Sequence, residues 1–129
     1  MKYKTVFRGL IFVILVILVS SFTIDNPVKK FSPVGIWEYS VPGVQVGYES
    51  GTMIIAEYDK DYKVSLQLNE YFKVEAENVV YKRKDLSFSV YVESEEILIS
   101  GTFDGDNFSG KLSYSEGDFE LSAVRKLAE

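Results

Sequence analysis

From Trp37 to Arg125 the chain alternates apolar and polar residues in short runs, each closed by turn-forming residues. Trp37, Tyr39 and Val41 alternate with Ile36, Glu38 and Ser40 before Pro42-Gly43, and Val44 to Tyr48 reads as a short extended piece. Thr52 to Tyr58 is a mostly apolar strand that ends at Asp59-Lys60-Asp61. In the next run Tyr62, Val64, Leu66 and Leu68 share one face, with Lys63, Ser65 and Gln67 on the other. Tyr71 to Glu77 repeats the scheme with Phe72, Val74 and Ala76 inward, and Asn78 to Tyr81 extends it to a basic turn. Leu86, Phe88, Val90 and Val92 then face Ser87, Ser89, Tyr91 and Glu93 across the chain, up to the turn Ser94-Glu95-Glu96. Ile97, Ile99, Gly101 and Phe103 lead to Asp104-Gly105, a type I′ hairpin signal. Phe108, Gly110, Leu112 and Tyr114 lead to a turn around Glu116-Gly117-Asp118, and Phe119, Leu121 and Ala123 run out to Arg125.

Such alternation places successive side chains on opposite faces of a strand, one against a core and one in water. The links are about two to five residues long, too short to cross a sheet, so consecutive strands must pair antiparallel. The expected fold is therefore all-β, an eight-stranded antiparallel up-and-down barrel. Closure is favoured because it removes both sheet edges, which otherwise invite aggregation. Gly47, Gly51, Gly101 and Gly110 are the expected bending points.

The N-terminal stretch obeys different rules. Lys2, Lys4 and Arg8 precede Gly9 to Ile24, which carries no charge and ends in Ser20-Ser21-Phe22-Thr23. A basic region, an apolar region and a small polar exit make an export signal. The apolar part, at about 16 residues, is shorter than the ~20 that span a bilayer. Residues 1–24 are thus expected to form a hydrophobic signal helix that is cleaved, or else kept as a membrane anchor. In both cases the remainder is delivered across the membrane, secreted or periplasmic, because the positive charges stay on the cytoplasmic side. Residues 25–33 read as a linker broken by Pro27 and Pro33, and residues 34–127 as one barrel domain.

Composition narrows the chemistry. The chain has neither histidine nor cysteine. That removes the imidazole base, the thiolate nucleophile, the disulfide and the nitrogen or sulfur ligands of a zinc site, and neither a cofactor nor a metal is expected. The leader holds three of the 14 basic residues and no acid, so the rest carries 11 bases against 19 acids. A domain this acidic repels phosphate backbones, so no nucleic-acid partner is expected. The run Lys82-Arg83-Lys84 is followed at once by Asp85 and fits an exposed turn. The acidic sets Glu93/Glu95/Glu96, Asp59/Asp61 and Asp104/Asp106 sit in predicted turns, where carboxylates are solvated rather than paired for acid–base work. Asp104-Gly105-Asp106-Asn107 has oxygen ligands at alternate positions but lacks the distal glutamate of a calcium loop, and reads as a hairpin turn.

The triplet Gly35-Ile36-Trp37 on the first strand, the meander that follows and Arg125 on the last strand resemble the calycin superfamily. Within it, the chain resembles small lipocalin-like barrels of secreted bacterial proteins. The resemblance implies that Arg125 stacks on Trp37 near the closed end of a barrel, with Gly35, Trp37 and Arg125 as a structural signature. It also implies a non-enzymatic protein that binds a small hydrophobic molecule. Lining candidates are the inward aromatics Tyr39, Tyr62, Phe72, Phe88, Phe103, Phe108 and Tyr114, which could equally be core. The alternative is a solid barrel acting as a structural or protein-interaction module of the envelope. An interior void of at least ~300 Å³ favours binding, whereas a filled interior beside an exposed apolar patch favours an interaction surface.

Overall fold

Nine strands form one antiparallel sheet: β1 Gly35–Ser40, β2 Ser50–Tyr58, β3 Asp61–Gln67, β4 Lys73–Glu75, β5 Glu77–Lys82, β6 Asp85–Val92, β7 Glu95–Asp104, β8 Asn107–Tyr114 and β9 Gly117–Arg125. They come from a computed structural model that describes residues 30–127. The expected signal segment 1–24 and most of the expected linker lie outside the described residues. Among the described residues no helix is long and apolar enough to cross a membrane.

The spatial order is β4-β3-β2-β1-β9-β8-β7-β6-β5, so each strand pairs with its neighbour in sequence except β4 with β5, which stand at the two ends of the order, and the first strand pairs with the last. The sheet curls into a nearly closed barrel. Closure across β1 and β9 sets Trp37 opposite Arg125 and Tyr39 opposite Ala123.

Nine strands replace the expected eight because the stretch after Tyr71 changes partners midway. β4 pairs with β3 and β5 with β6, and between them the Ala76 N–H donates to the Val64 carbonyl at 2.9 Å. One bent segment therefore straddles the seam. Its register shifts between Glu77 and Val80, and Asn78 takes a left-handed φ of 55°. The bulge covers Ser89, whose hydroxyl donates to the Glu77 carbonyl and accepts from the Asn78 amide, each at 3.3 Å. That explains why Ser89, expected on the wet face, is buried. Val44 to Tyr48 is not a strand: the loop makes one turn at Pro42-Gly43 and a second at Val46-Gly47, where Gly47, with φ 99°, turns the loop instead of bending a strand.

The true bend in this wall is at Gly101 and Gly110, which face each other across β7 and β8. A Cβ on Gly110 would overlap the Ser100 carbonyl, so only glycine lets the two backbones approach this closely. Asp59-Lys60, Arg83-Lys84 and Glu93-Ser94 close their hairpins with positive φ at both central positions, as type I′ turns require, without any glycine. At the Asp104 hairpin only Gly105 has positive φ, and the paired ends are Asp104 and Asn107. That geometry is a type II′ turn with central residues Gly105-Asp106, not the expected type I′.

One end of the barrel is plugged. Trp37 is fully buried, with its ring centroid 4.8 Å from that of Phe103, and Phe103 in turn lies 4.6 Å from Phe108 and 5.5 Å from Phe31. Arg125 lies over this cluster, its guanidinium carbon 4.6 Å above the Trp37 ring. Its terminal nitrogens donate to the Val34 and Ser32 carbonyls at 2.8 and 2.9 Å, and the Trp37 Nε1 donates to the Pro33 carbonyl at 3.0 Å. Arg125 Nε stands 2.9 Å from the Asp106 carboxylate but off the line of a hydrogen bond, so the contact is one of charge. The domain accordingly begins at Phe31, not Val34: Phe31 and the buried Pro33 belong to the plug, not to a linker.

Trp37→Ala is expected to cost about 3 to 5 kcal/mol, as truncating a core aromatic does, measured by urea unfolding followed in the far-ultraviolet. A loss below about 1 kcal/mol would show that the indole does not organise the core. Arg125→Lys keeps the charge but loses the fork that holds two carbonyls at once. Emission from Trp37, the only tryptophan, is expected to shift to the red and become accessible to acrylamide; an unchanged spectrum would mean that the fork does not hold the plug.

Candidate functional site

Strand directions alternate, so the end opposite the plug is built from the loop 41–49, the loop 68–72 and the turns 93–94 and 115–116. The interior is not filled here. An apolar cavity of about 80 Å³ lies among Tyr39 of β1, Met53 of β2, Leu66 and Leu68 of β3 and its end, Phe88, Val90 and Val92 of β6, Ile97 and Ile99 of β7, Leu112 and Tyr114 of β8 and Leu121 of β9. Most of these are inward positions toward the open end of their strands, and Met53, which pairs with Trp37, marks the floor. Aliphatic side chains dominate, and they do not close the space as the rings do below.

The charged groups are at the rim, Glu93 from its turn and Glu95 at the start of β7, beside Gln45 and Tyr48 from the loop 41–49. That loop is pinched at its base, where the Val41 N–H donates to the Glu49 carbonyl at 2.7 Å. It reaches from β1 to the opposite wall, where the Tyr48 hydroxyl donates to the Glu93 carboxylate at 3.2 Å. The nearby negative charge of Glu93 raises the Tyr48 pKa above its usual value. Glu95 accepts from the Ser115 backbone at 3.0 Å and from the Ser115 hydroxyl. Val44 and Tyr48 pack on the core, so the loop acts as a lid with an apolar underside.

Tyr39 is the one strongly buried polar side chain in the lining, 94% removed from solvent. Its ring folds across Gly51. Burial alone pushes its pKa up to about 12.

Of the seven aromatics proposed from the sequence, Tyr39, Phe88 and Tyr114 line the cavity. Tyr62, Phe103 and Phe108 lie elsewhere, in the filled half: Tyr62 meets Tyr81 edge-on at 5.1 Å, and Phe103 and Phe108 are plug residues. Phe72 was expected inward but is 42% exposed, because it stands at the rim beyond the last pair of β3 and β4, Gln67 opposite Lys73. Gly35, Trp37 and Arg125 are grouped at the closed end, where Gly35 lies against the Arg125 side chain. The aliphatic lining was missed, since size drew attention to rings. Its signal was present as inward Val, Leu and Ile at C-terminal positions of β3 and β6 and N-terminal positions of β7. Two of the acids read as plain turn residues, Glu93 and Glu95, also reach the site, whereas Asp59, Asp61, Asp104 and Asp106 belong to the other end. Among the described residues no three acids, histidines or cysteines gather where they could hold a metal ion.

No family model matches the chain, and no curated protein matches it. Among solved structures, a redesigned β-barrel superposes with a TM-score of 0.53 at 12% identity, covering 74% of this chain and 91% of its own. Secretory abundant heat soluble protein 4 from Ramazzottius varieornatus superposes with a TM-score of 0.50 at 9% identity, covering 77% of this chain and 100% of its own. At such identities the likeness is one of fold alone.

The Tyr39 pKa gives a stability profile. The unfolded phenol ionises near pH 10 and the folded one only near 12, so between these values the unfolded state has lost protons that the native state still binds. Stability is then full below pH 10 and falls as the pH rises toward 12. Urea midpoints at pH 9 and pH 11 are expected to differ, and Tyr39→Phe is expected to reduce the difference. An equal drop in both proteins would show that Tyr39 is not the group responsible.

Proposed function

We propose that this protein is an exported, non-enzymatic β-barrel that takes a slender apolar group of a small molecule into the unplugged end of the barrel. The cavity at that end carries the reading: its walls are aliphatic and aromatic, its charged groups are confined to the rim, and a loop with an apolar underside lies across it. Sites for small molecules share this pattern of an apolar interior and a few polar groups that fix orientation.

The volume limits the ligand. About 80 Å³ is well below the ~300 Å³ of a pocket for a drug-sized molecule. It is also below the roughly 150 Å³ of an engineered cavity that admits benzene. A space of this size holds part of a short alkyl chain, not a whole drug-sized molecule. The second reading, an interaction module of the cell envelope, rests on the solid plug and on Val46, Tyr71 and Phe72, apolar side chains exposed on the loops of the same end.

Titration with 1-hexanol, followed by amide chemical shifts, separates the two. Shifts confined to cavity residues such as Val90, Ile99 and Leu121 are expected, and Ile97→Phe, which fills the space, is expected to abolish them. If 1-hexanol leaves the wild-type spectrum unchanged, the cavity is only a packing defect and the interaction module becomes the better account.

A further inference from the structure

The rim selects a charge. We propose that the ligand is a primary alkylamine, an unbranched alkyl chain ending in an ammonium group, and that the site discriminates against carboxylates of the same length. This inference rests on the cavity reading above and adds the headgroup to it.

Glu93 and Glu95 are the charged residues that line the cavity, and neither lysine nor arginine lines it among the described residues. An alkyl carboxylate entering tail-first would bring its charge up to two like charges with no cation to meet it. The basic residues of the surrounding strands are placed elsewhere: Lys111 faces Asp118 at 3.9 Å on the outer wall, and Lys73 is exposed at the start of β4. Arg125 is committed to the plug at the far end.

The polar lining adds acceptors to the two charges. A primary ammonium carries three N–H donors and no acceptor, and beside Glu93 and Glu95 the lining offers the amide oxygen of Gln45 and the phenol oxygen of Tyr48. A neutral alcohol can donate one hydrogen bond to a carboxylate but gains no pairing of opposite charges. An ammonium gains both, and hydrogen bonds between ionised partners are the stronger ones.

The lid fits the same chemistry. Its latch runs from Tyr48 to one oxygen of Glu93, and a carboxylate with two acceptor oxygens can take an ammonium as well, so the amine pairs with Glu93 at the mouth beside the loop. The alkyl part then replaces empty space along Val90, Ile99 and Leu112, where burial of each methylene is favourable.

The test compares hexylamine, 1-hexanol and hexanoate at one pH near 7 and 0.15 M salt, where the Debye length of about 8 Å suppresses distant charges. Affinities are read from amide shifts of the cavity residues. Hexylamine is expected to bind on the order of tenfold more tightly than 1-hexanol, which is about 1.4 kcal/mol, and hexanoate more weakly than either. Glu93→Gln with Glu95→Gln keeps the acceptor oxygens for Tyr48 and Ser115 while removing the charge. In that variant the amine is expected to lose its advantage over the alcohol. Glu38→Gln with Glu57→Gln removes the same charge from exposed positions on β1 and β2 and is expected to leave the advantage intact. If hexylamine binds no better than 1-hexanol, or keeps its advantage without Glu93 and Glu95, the headgroup assignment is overturned while the apolar site stands. If no compound of the three binds, both are overturned.

Discussion

Arg125 laid over Trp37 is the contact on which the rest of the structure depends, because it joins the first strand to the last. A cation over an indole is worth about 0.5 to 2 kcal/mol, a small part of what the core supplies. Its larger effect is on register. Trp37 and Arg125 face each other in the ladder, and a slip of one residue would turn every inward side chain of that strand outward. The guanidinium must also be satisfied where it lies. Two backbone carbonyls accept from its terminal nitrogens and the Asp106 carboxylate balances its charge, and the carbonyls belong to the segment that precedes β1. The same group therefore seals the seam and fastens the entering chain over the end of the barrel.

That arrangement divides the interior. Around Trp37 the rings touch one another, with Phe103 within 6.1 Å of Phe31, Trp37, Tyr81 and Phe108. An eight-stranded interior is only just wide enough for side chains to fill it, and here aromatic rings do fill it. Toward the other end the inward positions pass to Val, Leu, Ile and Met. Branched aliphatics projecting from opposite walls leave a gap along the axis, and the loop 41–49 covers it. The cavity thus follows from where the aromatic residues fall along each strand, not from a break in the sheet.

Alternation made the strands and their inward faces legible in the sequence, and the short links made antiparallel pairing legible with them. The divided segment at Ala76 was not legible, because the change of partner from β3 to β6 depends on how the two halves of the sheet meet and leaves the alternation of Val74 and Ala76 intact. The turn at Glu93-Ser94 was placed one residue late because neither residue carries the glycine or asparagine that marks positive φ. Phe72 has the right parity for the interior but the wrong height, and alternation carries no information about height. The same limit explains the aromatic candidates: parity placed Tyr39 and Phe103 on the same inner face, while their positions along β1 and β7 put one beside the cavity and the other in the plug.

Height can nevertheless be recovered from sequence once the meander is accepted. In an up-and-down barrel the C-terminal half of one strand lies level with the N-terminal half of the next, so residues can be sorted by layer without coordinates. Sorted in this way, Trp37, Tyr81, Phe103, Phe108 and Arg125 fall into one layer, and Leu68, Val92, Ile97 and Tyr114 into another. The first layer is aromatic and includes the cation; the second is largely aliphatic and lies beside two acids at the rim. Local opening is governed by how much packing must be undone. The ring layer must be taken apart as a unit, whereas raising the loop 41–49 breaks one exposed Tyr48–Glu93 hydrogen bond, the Val41–Glu49 pinch and the packing of Val44. The closed end therefore supplies the rigidity against which the open end can move, and any exchange between the cavity and solvent proceeds at the end where the acids are.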